Sequence, residues 1–426
     1  MLAWLPPEGA KRRQTLAGAV YLVATAVYLL FAAPETLRAH TPYNHFALQA
    51  EAWLAGRTDL GGPPPAYAHG NDFSLFEGRW FVPFPPLPAI LLLPAVALSG
   101  SAAAVADGRF FLLLAGVAPA ALFLALEKLR RRGDSERSER DNLLLAALFA
   151  FGSVYFFSAE QGTVWYAAHV IGAALAALYL WVALGAERPL LAGLCLGLGY
   201  ATRAPLLFAA PLFLGEHWRA VGGDRRRFAR GLAWFAAPIV AVLVATLAYN
   251  AARFGAAFEN GYRFLAVAWH GRIERWGLFG YHYLARNLGV MFTSLPWLGH
   301  PDAPFRVNAH GLALWVTTPA YCWLLWPKTS KAPHWALVAT AACVALPTLF
   351  YQNSGWVQFG YRFSNDYAVF LFALLAVGGR RFGAAFWALA LYAVVVNAFG
   401  ALTFGRPAGA NVYVIERSQR VLYEPD

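Results

Sequence analysis

The sequence predicts an all-α, polytopic transmembrane helical bundle of about 11 spans, with two long loops on one side. Three observations lead there. Hydrophobic residues make up 59% of the 426 and charged residues 13%, about half the charged share of a soluble domain. Apolar runs recur along the whole chain, and a helix needs about 20 such residues to cross a bilayer. The 34 Lys+Arg outnumber the 23 Asp+Glu, and they fall between the apolar runs, where they report orientation. A disordered chain would be far less hydrophobic, so that class is excluded.

The first run, 16–33, follows Lys11, Arg12 and Arg13. It lacks a small-residue cleavage site and is long enough to span, so it reads as an uncleaved first helix. Further spans are expected at 108–127, 142–158, 163–185, 189–202, 204–216, 231–252, 311–326, 334–351, 367–379 and 383–404. The apolar run 85–100 is read as a re-entrant or interfacial helix. Counting it as a crossing would put Lys128, Arg130, Arg131 and Arg132 on the side opposite the amino terminus. With that choice the inner side takes 19 of the 34 basic residues, including all four lysines, Lys11, Lys128, Lys328 and Lys331. The amino terminus is then cytoplasmic, and the chain is a single multi-pass domain of the cell membrane. The basic surplus marks sidedness, not a nucleic-acid partner.

Two long segments then lie outside, 34–107 and 253–310, with short outer turns at 159–162, around Thr202 and at 351–366. Loops of that length are usually functional, so the chemistry is expected on the outer face. Within the first loop, Phe46, Ala47, Ala50 and Leu54 opposite Gln49, Glu51 and Arg57 predict a short amphipathic helix on the membrane, ended by Gly56. The run 69–88 reads as a turn, a brief extended stretch and a proline-stiffened approach to the interfacial helix.

Ionisable residues at membrane depth are functional hypotheses by default. Arg203 in Ala201-Thr-Arg-Ala-Pro205, Arg253 in Tyr249-Asn-Ala-Ala-Arg-Phe-Gly255 and Arg362 in Phe359-Gly-Tyr-Arg-Phe-Ser-Asn-Asp-Tyr367 are the outer candidates for binding phosphate, which the planar guanidinium fork suits. A general base must be a carboxylate or histidine able to reach an acceptor hydroxyl. Asp72, in a polar turn before Trp80 and Phe81, is the first choice, against an equal reading as a turn-capping residue. Glu51 fits the polar face of its helix, and Asp366 is expected to pair with Arg362. The outer histidines, among them His40, His45, His69, His270 and His282, lack metal-ligand spacing. No metal or other cofactor is predicted, though a divalent ion stays open. Walker, Gly-x-Ser-x-Gly and Cys-x-x-Cys motifs are absent, and Cys195, Cys322 and Cys343 sit singly in apolar stretches.

The segments Tyr43–Leu60, Asn71-Asp72, Glu77-Gly-Arg-Trp-Phe-Val-Pro-Phe-Pro-Pro-Leu-Pro88, Gly193-Leu-Cys-Leu-Gly-Leu-Gly-Tyr-Ala-Thr-Arg-Ala-Pro205, Tyr249–Gly255 with Glu259-Asn-Gly-Tyr262, and Phe359–Tyr367 together resemble bacterial membrane glycosyltransferases of the GT-C class, including the family 39, protein-mannosyltransferase-like proteins. That resemblance implies an enzyme that takes a sugar from a polyprenyl-phosphate donor and passes it, with inversion, to a glycan, lipid or protein acceptor at the extracytoplasmic face. It implies a first-loop carboxylate as base, Asp72 or Glu51. Substrate-binding roles fall on Arg79, Arg203, Arg253, Tyr361, Arg362 and Asp366. One departure stands out. Many members carry an Asp or Asp-Glu just after the first helix, where this chain reads Thr41-Pro-Tyr-Asn44. The alternative class is a secondary transporter or flippase, which would place ionisable residues inside the spans. A non-catalytic scaffold is the third reading.

Overall fold

The computed structural model describes residues 9–414, apart from 268, 301, 302 and 331. Lys331, assigned above to the inner side, therefore lies outside the described residues. The chain is a helical membrane bundle with little sheet. Among the described residues six helices are long and apolar enough to cross a bilayer: Ala10–Phe31, Asp107–Arg131, Val164–Ala186, Arg225–Phe254, Ala332–Leu349 and Ala384–Thr403. Shorter helices, Glu139–Phe151, Pro189–Tyr200, Ala210–Val221 and Ala368–Val377, fill positions between them.

The central helix is Val164–Ala183. It is buried along nearly its whole length, as an apolar segment surrounded by other helices must be. Its own Tyr179 joins Tyr155, Phe149 and Phe370 from neighbouring segments in the main core. The first helix ends at Phe31, the next long one begins at Asp107 and the central one at Val164, and all three of these ends lie on one side of the bundle. Their opposite ends gather charge. Arg12 meets Glu139 at 2.6 Å, Arg132 meets Glu216 at 2.6 Å and Asp134 at 3.0 Å, and Arg219 meets Asp134 at 3.0 Å. Glu127, fully buried, accepts from Arg130 at 2.8 Å and from Asn142 at 2.8 Å. These are the segments that the basic residues assign to the inner side.

The helix Leu87–Ser99 begins where Leu87 N donates to Ala201 O. It ends near Ala102, whose backbone meets Glu51 and Asn44. Both ends therefore lie on the side where the first helix finishes. The helix His45–Leu54 differs from its expected position on the membrane surface. It is buried on almost every side, and Gln49 and Trp53 both donate to the Tyr249 hydroxyl. The expected extended stretch is a β-hairpin, Ser74–Phe76 with Arg79–Phe81, closed by Glu77 and Gly78 at positive φ, as a two-residue turn of matching twist requires.

A second departure is at 311–326. Instead of a span, the chain makes one α-turn, Leu314–Thr317, and then a 3-10 stretch, Pro319–Leu325. Pro319 lacks the N–H that would continue the α-ladder to Trp315 O, and the buried Asn397 amide donates to the Thr317 carbonyl, left by the switch to a 3-10 stretch, at 2.7 Å.

Pro189–Tyr200 packs against Arg225–Phe254 through glycine. A Cβ added to Gly193 would lie 1.9 Å from Phe235 O, and one on Gly197 would lie 3.1 Å from Pro238 O. The two backbones approach because neither position carries a side chain. Gly193→Ala is therefore expected to lower stability by about 1–3 kcal/mol, the usual cost of overpacking, read as a lower melting temperature in detergent.

Candidate functional site

The cavity of about 1180 Å³ at the side where the first helix finishes is walled by segments far apart in sequence. Asn71 and Asp72 come from the first loop, Arg203 and Arg253 from helix ends, Tyr262 and Trp269 from the second loop, and Trp356 and Arg362 from the last turn. The two loops are stitched together beneath it. Ser74 Oγ donates to Gly261 O at 2.7 Å, and Ala266 N donates to Phe73 O at 3.0 Å.

Asp72 sits in a left-handed turn, φ 57, just after His69 and Gly70 at φ 51 and 66. Aspartate tolerates that region better than most residues. The turn is held by His45, whose Nε2 donates to Asn71 O at 2.8 Å and whose ring stacks on Phe73 at 4.1 Å. Burial lowers the His45 pKa to about 4, more than its backbone hydrogen bonds raise it, so the ring is neutral and Nε2 keeps its proton. Trp165, in the first turn of the central helix, donates its indole N–H to Asp72 Oδ2 at 2.7 Å. Among the described residues no donor reaches Oδ1. Burial raises the Asp72 pKa from its usual value, with the Trp165 bond and the Arg362 charge opposing it. The carboxylate is thus half-buried, oriented by one oxygen and made more basic by its surroundings.

The three candidate arginines all reach the cavity wall, in different states. Arg203 does not point free. It grips Asp366 with Nε at 2.9 Å and Nη2 at 2.7 Å, and His169 Nδ1 lies 3.3 Å from the same carboxylate. The expected pairing of Asp366 with Arg362 is therefore replaced by one with Arg203, which is closer and forms a two-point fork. Burial would raise the Asp366 pKa, but Arg203 and His169 outweigh it and pull it to about 2. Asp366 itself is fully buried and does not line the cavity.

Arg362 is 6% exposed, its guanidinium stands 5.1 Å from the centre of the Tyr166 ring, and among the described residues no carboxylate lies within ion-pair distance of it. Its Nε has no hydrogen-bond partner. Arg253 is 3% exposed, donates to Val82 O and Asn250 Oδ1, lies over the Tyr249 and Phe254 rings, and also lacks a carboxylate. Two buried cations without counter-ions face one cavity, an arrangement that favours an anionic ligand.

Three other candidates lie elsewhere. Glu51 accepts from Ala102 N at 3.0 Å and fixes the chain after the Leu87–Ser99 helix. Arg79 is half-exposed on the hairpin, 3.3 Å from Asp59. Tyr361 is fully buried, with its hydroxyl on Thr348 Oγ1 at 3.2 Å. None of the three lines the cavity.

Sequence reasoning missed Trp165, His169, Glu160 and Arg406. Glu160 is 1% exposed, accepts from Arg406 Nη2 at 2.7 Å, and has its pKa raised to about 8 because burial exceeds the help from Arg406. Arg406 also donates to Phe31 O, joining the end of the first helix to the segment after the last. The signal for Glu160 was its place in an outer turn, at the start of the central helix. No group of three or more metal-ligating side chains occurs among the described residues.

No protein-family model matches the chain, and no curated protein sequence does. Solved structures do match in fold. The archaeal oligosaccharyltransferase AglB from Archaeoglobus fulgidus, in complex with an inhibitory peptide and a dolichol-phosphate, superposes with a TM-score of 0.53 at 10% identity, covering 92% of this chain and 56% of that one. The same enzyme tethered to an acceptor peptide containing the NVT sequon gives 0.52 at 12%, covering 92% and 56%, and its apo form 0.51 at 12%, covering 92% and 55%. The chain thus spans a little over half the length of the structures it matches. The fold is the GT-C membrane fold of these oligosaccharyltransferases.

Arg203→Ala strands the buried Asp366 charge and is expected to cost about 3–5 kcal/mol of stability, with Arg203→Lys recovering part, measured by thermal melting. The Asp366 pKa is depressed by folding. Its contribution is therefore present above the unfolded carboxyl value, about 4, and is lost as pH falls through about 2.

Proposed function

We propose that the chain is a membrane glycosyltransferase that moves a sugar from a polyprenyl-phosphate donor to an acceptor hydroxyl at the extracytoplasmic face. The observation that supports this most is one cavity holding a base-like carboxylate, Asp72, and two buried arginines without carboxylate partners, Arg253 and Arg362. The GT-C fold supports the same reading.

In this reaction Asp72 Oδ1 takes the proton of the acceptor hydroxyl as its oxygen bonds to the anomeric carbon. The bond from that carbon to the phosphate oxygen breaks, and the phosphate leaves with the electron pair. Attack from the face opposite the leaving group gives inversion. Arg253 and Arg362 meet the charge that grows on the phosphate, in a site where water is scarce and a fixed cation is worth most. Arg203, neutralised by two bonds to Asp366, is a fixed part of the wall that positions this machinery. Trp269 and Trp356, 5.7 Å apart and nearly perpendicular, offer aromatic surface for the sugar. Donor and acceptor are a lipid-linked sugar and a glycan, lipid or protein. The protein resides in the plasma membrane with its amino terminus cytoplasmic.

In reconstituted vesicles supplied with polyprenyl-phosphate sugars, Asp72→Asn is expected to reduce kcat by about 10²–10⁴-fold, the worth of a general base. Arg362→Ala is expected to lower kcat/KM by about 10²-fold. Full activity in Asp72→Asn would overturn the reading, as would uptake of the sugar lipid without transfer.

The pH–rate profile provides a finer check. Because the Trp165 N–H favours the ionised carboxylate, Trp165→Phe should move the acid limb to higher pH while leaving the protein folded.

A further inference from the structure

At the bundle end that carries the Arg12–Glu139 and Arg132–Glu216 pairs, a second and smaller cleft of about 190 Å³ opens between the Ala332–Leu349 helix, the Ala368–Val377 helix and the 3-10 stretch. Its walls are apolar: Leu324, Val338, Ala341, Leu371 and Leu375. The chain beside it is apolar and outward-facing, with Leu325 67%, Trp326 64% and Trp335 66% exposed, in keeping with a rim set against lipid. Arg380 stands at the cleft, its guanidinium 5.3 Å from the Trp323 ring centre and 6.0 Å from that of Trp326.

Charge sets this place apart. Arg12, Arg132 and Arg219 at the same end are matched to carboxylates within 3.0 Å. Lys328, Arg380 and Arg381 have no carboxylate within 4 Å among the described residues, although backbone bonds hold them close together. Lys328 N donates to Gly378 O at 2.8 Å, and Arg137 Nη2 donates to Arg380 O at 2.6 Å. In the same cleft wall His334, 6% exposed, has a ring nitrogen, Nδ1, without a hydrogen-bond partner.

We infer that this cleft is a binding site for an anionic phospholipid, with one acyl chain between the two helices and the phosphate on Arg380, assisted by Lys328 and Arg381. A free phosphate would satisfy the cations but has no use for the apolar walls. A zwitterionic lipid would fill the walls but present its own cation to the arginines. Basic clusters at the ends of transmembrane helices attract anionic leaflets by about 1 kcal/mol per charge, which is about fivefold in binding. The site lies at the other end of the bundle from the reaction cavity, so it stands or falls independently of the proposed transfer.

The test uses the full chain in detergent, melted with added phosphatidylglycerol, with phosphatidylcholine of the same chains, and with inorganic phosphate. Phosphatidylglycerol alone should raise the melting temperature. Arg380→Gln should weaken its apparent binding about fivefold, Ala341→Phe should block the chain, and Arg225→Gln, a charge removed at the same end but outside the cleft, should change neither. Equal response to both lipids, or equal loss in Arg225→Gln and Arg380→Gln, would overturn the assignment. A response to inorganic phosphate alone would reduce it to an anion site, against the proposal. Should Ala341→Phe not fold, a photoactivatable phosphatidylglycerol on the unaltered protein decides the matter. Crosslinks concentrated on 371–382 and Lys328 support the site, and crosslinks spread over all basic loops refute it.

Discussion

A carboxylate with no exposed surface has to be matched where it lies, and the cavity end of this bundle is organised around one, Asp366. Arg203 supplies the match, gripping both oxygens, and His169 stands against the same group. Each partner belongs to a different stretch of chain: the turn after Pro189–Tyr200, the second turn of the central helix, and the last loop. Gly172 makes the arrangement possible, because a Cβ there would sit 2.7 Å from Arg203 Cγ. Asn365, next in line, reaches back to Ser158 Oγ at 2.9 Å. Breaking a buried pair of this kind leaves an uncompensated charge, so the three segments are held in one register. Arg362, at the other end of the same short 3-10 stretch as Asp366, is placed by that register.

The two ends of the molecule treat charge in opposite ways. At one end arginines and carboxylates neutralise each other across loops, with Asp134 and Glu216 each taking more than one partner. At the cavity end the anions are few and most of them are committed: Asp366 to Arg203, Asp107 to Thr41 N and Oγ1, Glu160 to Arg406. Among the described residues Arg253 and Arg362 are left without an ion-pair partner, and Asp72 is a carboxylate whose charge reaches Arg362. The cavity therefore carries a local excess of positive charge in its wall.

Much of this was legible in the sequence, because hydrophobic length and the position of Lys and Arg respond to the bilayer and not to tertiary detail. The helical bundle follows from that, whereas the meeting of Asp72, Arg203, Arg253 and Arg362 at one cavity is seen only in the structure. What was not legible depends on pairing at long range. Arg203 and Asp366 are 163 residues apart and Arg406 and Glu160 are 246 apart, so no local pattern announces either pair. Glu51 looked like a surface carboxylate until its backbone partner at Ala102 was seen. The 311–326 run met the hydropathy of a span, but hydropathy does not register that Pro319 interrupts the α-ladder. Nothing in the sequence separates Trp165 from the chain's other tryptophans, and only its 2.7 Å bond to Asp72 does so.

The stitching of the first loop to the second, Ser74 to Gly261 and Phe73 to Ala266, bears on how the protein is made. The strand that follows Asp72 leaves the ribosome early, yet its partners are nearly 190 residues downstream. Contacts of such separation form late, since the loop between them must close at an entropic cost before the bonds return anything. In a chain inserted helix by helix, the Asp72 turn therefore waits, incomplete, until the long Arg225–Phe254 helix is in the membrane. A product truncated before that helix would lack the second loop and the last turn that wall the cavity, so the cavity is complete only when insertion is nearly finished.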